Sequence, residues 1–142
     1  MNKPIVVIDG MGGGIGAQLI SRLREILDKQ QDIIALGANF GATERMLKAG
    51  ATRGATGENA IRVSVRLGGF IVGPIGIVIP NSMMGEITPI MADAILASPC
   101  ERILLPVKNE HFTLPGVEVT PLSRAIELAA DVVKERLAKE DA

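Results

Sequence analysis

Five of the sixteen glycines in this 142-residue chain fall within seven consecutive positions, Gly10-Met11-Gly12-Gly13-Gly14-Ile15-Gly16. The cluster follows a continuous apolar run, Ile5-Val6-Val7-Ile8, and precedes apolar positions Ile15, Leu19, Ile20, Leu23, Ile26 and Leu27 at helical spacing. An apolar run of this kind suits a strand buried on both faces, as in parallel sheets. Glycine permits positive φ and close approach of another group to the backbone. Placed between a buried strand and a helix start, such a loop offers backbone N–H groups and the positive end of the helix dipole to a phosphate. The other reading of the cluster is a tight structural turn.

The rest of the chain continues the rhythm. A helix is expected from about Ile15 to Lys29, a strand at Ile33 to Leu36, and a short helix capped by Thr43 that runs to Lys48 and stops at Gly50. A short strand near Thr52 to Ala55 comes next. Glu58 to Leu67 reads as a helix, although Ile61, Val63, Val65 and Leu67 also alternate as a strand would. Phe70 to Val72 is a buried strand, and Ile75 to Ile79 is either a strand or the first turns of a helix. Thr88-Pro89 places a capping residue before proline at the first helical position, for a helix to Ser98. Arg102 to Val107 reads as a strand, Val117 to Val119 as an edge strand, and Pro121 to about Ala138 as a long helix. The alternation predicts one α/β domain over residues 1–142: a Rossmann-like three-layer sandwich with a mostly parallel sheet.

Two glycine templates fit the loop. Gly12, Gly14 and Ala17 match G-x-G-x-x-A, the dinucleotide fingerprint, and Gly10, Gly14 and Gly16 match G-x-x-x-G-x-G. The second resembles the cofactor loop of short-chain dehydrogenases. That resemblance implies a nucleotide ligand, NAD or NADP, but the chemistry does not carry over, because the chain has no tyrosine for that family's Tyr and Lys pair. No Gly-Lys-Ser/Thr follows, which excludes a Walker loop. The end of the second strand, Gly37-Ala38-Asn39, lacks the acid that usually holds the ribose 2′-OH of NAD. Asn39 can bond a ribose hydroxyl, and Arg45 can face a 2′-phosphate, so the choice between the two cofactors stays open.

Candidate site residues follow from the rule that ligands of open α/β sheets bind beyond the carboxyl ends of the strands. The cofactor set is Asp9, Gly10, Gly12, Gly13, Gly14, Ile15, Gly16, Asn39, Gly73 and Pro74, with Asp9 either holding a ligand or anchoring the loop through backbone N–H groups. Glu58, Asn59, Asn81, Ser82 and Thr88 form a second, substrate or ligand set; the bland reading is that they build turns and cap helices. Glu86, the one carboxylate within the loop 81–89, is the candidate general acid or base. His111 is a lone imidazole with little claim on catalysis.

Composition excludes several classes. Three Phe with no Tyr or Trp, and a net charge of −1, argue against nucleic acid as a partner. One cysteine, Cys100, and one histidine leave no metal-ligand cluster and no intrachain disulfide. The nineteen uncharged residues from Leu67 to Gly85 are broken by Pro74, Pro80 and five glycines, which disfavours a membrane span. The N-terminal apolar run is too short for a signal peptide, so a cytoplasmic protein is expected. The apolar Leu67 to Ile90 stretch suggests a homodimer. Whether the protein is an enzyme stays open beside two alternatives, a nucleotide-sensing or partner subunit and a structural association module.

Three blocks resemble those of an uncharacterised bacterial family of unknown function over nearly the whole chain. They are Ile8 to Gly16, Gly54-Ala55-Thr56-Gly57-Glu58-Asn59-Ala60-Ile61, and Gly73-Pro74-Ile75-Gly76 leading through Asn81-Ser82 to Gly85-Glu86-Ile87-Thr88-Pro89. The resemblance implies a Rossmann-like fold and supplies no activity.

Overall fold

The computed structural model describes residues 3–107, 113–118 and 120–140. Strands β1 (Ile5–Asp9), β2 (Ile33–Gly37), β3 (Arg53–Thr56), β4 (Phe70–Pro74) and β5 (Glu101–Leu105) form one sheet, all pairs parallel, in the order β3-β2-β1-β4-β5. Helices α1 (Gly14–Ile26), α2 (Phe40–Lys48), α3 (Glu58–Ser64), α4 (Pro89–Ala97) and α5 (Leu122–Glu140) cover it. The three central strands are buried along their whole length, as their unbroken apolar sequences require.

Successive side chains of a strand point to opposite faces. Ile5 and Val7 therefore join a core with Leu19, Leu23, Met46, and Val133 from α1, α2 and α5. Val6 and Ile8 join a second core with Ile61, Met91 and Ile95 from α3 and α4. These two cores on either side of one sheet make the three-layer α/β sandwich of the Rossmann type, with the strand order reversing direction between β1 and β4.

Local chemistry decides the ambiguous segments. Within residues 58–67, Ile61 and Val65 are buried whereas Val63 and Leu67 are each 49% exposed, a spacing of four that selects helix over strand. Val65–Leu67 then tightens into a 3₁₀ turn. Ile75–Val78 is also 3₁₀, neither strand nor α-helix, with Ile77 buried beneath it. Thr88 caps α4 as expected, its Oγ1 accepting the Met91 N–H at 3.1 Å before Pro89.

Several expectations are corrected. The cap of α2 is Asn39, whose Oδ1 accepts the Ala42 N–H at 2.9 Å; Thr43 lies buried one turn in, its hydroxyl 2.7 Å from Thr56 Oγ1, and ties α2 to β3. Helix α1 ends at Ile26, because Leu27 turns extended at φ −108° and ψ 165°. Val117 and Glu118 are not in a strand: Gly116 at φ +85° turns the chain, and the sheet ends at β5. Val119 and His111 lie outside the described residues. No described helix is long and apolar enough to cross a membrane. Of the Leu67 to Ile90 stretch, Ile71, Val72, Ile77 and Ile87 are core, while Leu67, Met84 and Ile90 are exposed.

Candidate functional site

The crevice beyond the carboxyl ends of β1 and β4 holds the glycine loop. Asp9, the last residue of β1, is 4% exposed and anchors it: Oδ1 accepts the Gly10 N–H at 2.8 Å and Oδ2 the Gly16 N–H at 2.7 Å. Burial pushes the Asp9 carboxyl above the usual range, the hydrogen bonds from Gly16 and Gly10 oppose the shift, and the charge of Glu86 adds to it. Of its two predicted roles, anchoring is the one these bonds perform.

The five glycines divide by what a side chain would meet. At Gly13, φ is +73° and a Cβ would lie 2.8 Å from Ala42 Cα, so loop and α2 backbones touch. At Gly16 a Cβ would lie 2.5 Å from Met46 Sδ, which keeps α1 close to its neighbours. At Gly10 a Cβ would meet Glu86 Oε1 at 2.7 Å and Met83 Sδ at 2.8 Å. Gly12 and Gly14 differ. The nearest atom is Arg45 Nη1, at 3.8 Å and 3.4 Å respectively, and neither N–H has an acceptor among the described residues. Packing gives no reason for glycine at these two positions.

Arg45 reaches across from α2, its Nη1 donating to the Gly12 carbonyl at 3.4 Å. The guanidinium thus stands beside Gly12 and Gly14, and an anion at the start of α1 would meet a charge as well as the helix dipole. Asn39, at the tip of β2, donates through Nδ2 to the Met11 carbonyl at 2.8 Å and to Glu86 Oε2 at 2.9 Å. Glu86 Oε1 accepts the Met11 N–H at 2.6 Å. The loop between β4 and α4 therefore closes over the front of the glycine loop.

Other predicted residues lie apart from this constellation. Gly73 and Pro74 are buried within β4, where a Cβ on Gly73 would run into the Ile8 carbonyl. Ser82 donates to the Gly76 carbonyl, Asn81 holds φ +67°, and Thr88 caps α4, so these three shape the loop that carries Glu86. Glu58 occupies the first turn of α3, and Asn59 accepts from Arg62 Nη2 at 2.9 Å at the surface beyond β3. Ile15 bounds an apolar cavity of about 950 Å³ with Leu105, Val107, Leu114, Leu122 and Ala129, beyond β5. Sequence reasoning missed this cavity and the contact of Met83 with Gly10, since both arise from segments distant in the chain. No group of three or more His, Cys, Asp or Glu side chains that could hold a metal occurs among the described residues.

The chain belongs to a family described as a domain of unknown function (DUF3842), matched over residues 4–138. No curated protein sequence matches it. Among solved structures it is similar to an imine reductase from Myxococcus stipitatus, a V8 variant in complex with NAD+, with a TM-score of 0.43 and 16% identity over 75% of this chain. The chain spans 33% of that reductase. It is also similar to a putative NAD-dependent epimerase/dehydratase from Bacillus halodurans, with a TM-score of 0.41 and 15% identity over 94% of this chain and 89% of the other.

Proposed function

We propose that this protein binds a nucleotide, NAD or NADP, with its phosphates on the glycine loop at the start of α1. The observation that carries the reading is the pair Gly12 and Gly14: open N–H groups, no packing partner that demands glycine, and the Arg45 guanidinium beside them. Gly10, Gly13 and Gly16 shape the loop, and Asp9 pins its two ends. Cytoplasmic residence and a homodimer belong to the same reading, the latter supported by the exposed apolar side chains of Leu67, Ile90 and Leu96 in the α3–α4 layer.

The test is thermal unfolding against a panel of NAD, NADP and ADP. A ligand that binds only the folded state stabilises it by about 2.7 kcal/mol at roughly 100 times its Kd. A rise in Tm with at least one of the three, abolished in Gly14→Val with the fold retained, supports the reading. No shift with any of them, in protein shown to be free of retained ligand, contradicts it.

A further inference from the structure

Glu86 occupies the place that sequence leaves vacant at the tip of β2. In dinucleotide folds the ribose 2′-OH is held by an acid at that tip, whereas this chain has Gly37-Ala38-Asn39 there. The loop from Ile79 to Thr88 delivers a carboxylate to the same point, with Glu86 Oε2 2.9 Å from Asn39 Nδ2 and Oε1 2.6 Å from the Met11 N. We infer that Glu86 is the ribose-diol acceptor of the nucleotide site, and that the ligand is therefore NAD in preference to NADP. The inference rests on the reading of the glycine loop proposed above.

Three observations support it. An ionised carboxylate has about four acceptor positions, and the described partners Met11 and Asn39 take two of them, so acceptors remain for hydroxyl donors. The carboxylate is fixed in advance by a loop that closes on itself. Asn81 N–H donates to the Ile87 carbonyl at 2.7 Å, Glu86 N–H to Met83 at 3.1 Å and Gly85 N–H to Ser82 at 3.2 Å, with Asn81, Met83 and Met84 held at positive φ. Lastly, the Glu86 carboxylate itself disfavours a 2′-phosphate at the β2 tip. Arg45 stands at Gly12 and Gly14, while the first turn of α2 after Asn39 begins Phe40-Gly41-Ala42 with no cation. A 2′-phosphate at the β2 tip would face Glu86 with like charge.

Isothermal titration of the full chain with NAD and NADP, repeated on Glu86→Gln, tests this. Wild type is expected to bind NAD at least about tenfold more tightly than NADP, and Glu86→Gln to lose about tenfold or more for NAD with NADP unchanged or improved, the size of a charge-assisted hydrogen bond. ADP-ribose against its 2′-phosphorylated form should repeat the wild-type ratio, which needs no variant to fold. Equal or tighter binding of NADP by wild type overturns the assignment. So does a Glu86→Gln protein whose two affinities keep their ratio, a result that returns Glu86 to the acid–base role suggested by sequence. Absence of binding by either dinucleotide contradicts the glycine-loop reading and this inference together, whereas binding without discrimination contradicts this inference alone.

Discussion

Glu86 and Met11, seventy-five residues apart in sequence, meet through a 2.6 Å hydrogen bond from the Met11 N–H to the Glu86 carboxylate. The bond fastens the β4–α4 loop to the glycine loop and makes them one unit. Asn39 completes a triangle by bonding both the Met11 carbonyl and the other Glu86 oxygen. Three segments that follow different strands are thus organised around one carboxylate at the rim of the crevice.

Gly10→Ala separates the two loops without removing a polar group. The new Cβ would lie 2.7 Å from Glu86 Oε1 and 2.8 Å from Met83 Sδ, both the far ends of flexible side chains. The fold is expected to survive at a cost of about 1 kcal/mol, with the Met11 amide resonance shifted and the preference for NAD narrowed. An unchanged Met11 resonance in a folded variant contradicts the contact.

Gly13→Ala and Gly14→Ala should differ in kind. Gly13 sits at φ +73° against the backbone of Ala42, so alanine there costs stability, about 2 kcal/mol or more in urea unfolding. Gly14 meets only the Arg45 side chain, and alanine in the first turn of α1 should leave stability unchanged or slightly raised. Its effect should fall on nucleotide affinity instead. If Gly14→Ala binds as wild type does, the open backbone is not a ligand cradle.

Burial of Asp9 predicts a pH dependence of stability. Its carboxyl is raised in the folded protein, chiefly by burial, above the ordinary value near 3.9. Between the two values the native state holds a proton that the unfolded chain releases. The contribution is therefore fully present below the unfolded value and lost as pH rises through the folded one. In urea unfolding between about pH 4 and pH 7, the stability of wild type relative to Asp9→Asn should fall with rising pH. A difference that grows with pH would contradict the dominance of burial and show that the hydrogen bonds from Gly10 and Gly16 outweigh it at this carboxyl.

Arg45→Gln tests the charge over the loop. Arg45 is exposed and makes one 3.4 Å contact to a carbonyl, so its loss should leave Tm within a degree or two. Affinity for NAD and for ADP should fall by roughly tenfold at low salt, and the difference should shrink as salt is added. Equal affinities for wild type and variant at low salt would place the phosphates elsewhere.

The fold was legible where local chemistry and burial agree. Ile5 to Ile8 is apolar on both strand faces and is buried on both, and Thr88-Pro89 is both cap signal and cap. Legibility failed where two residues able to cap a helix compete, as Asn39 and Thr43 do, and only the packing of Thr43 against Thr56 decides. The segment 58–67 was ambiguous because positions 61 and 65 satisfy both a period of two and a spacing of four. Of the site, the loop itself was visible, but which glycines serve packing and which face outward depends on Ala42, Met46 and Met83. The place of Glu86 depends on partners 47 and 75 residues away, which no local pattern records.

Amide chemical shifts of the uniformly ¹⁵N-labelled protein, followed through a titration with NAD, test the central claim most directly. The Gly12, Gly14 and Met11 amides and the Asn39 side-chain amide are expected to move together and saturate at one Kd. Resonances of the strand ends opposite the crevice, such as Lys3 and Gly69, are expected to stay in place. Saturating shifts confined to residues away from the glycine loop, or no shifts at millimolar NAD, would contradict the account.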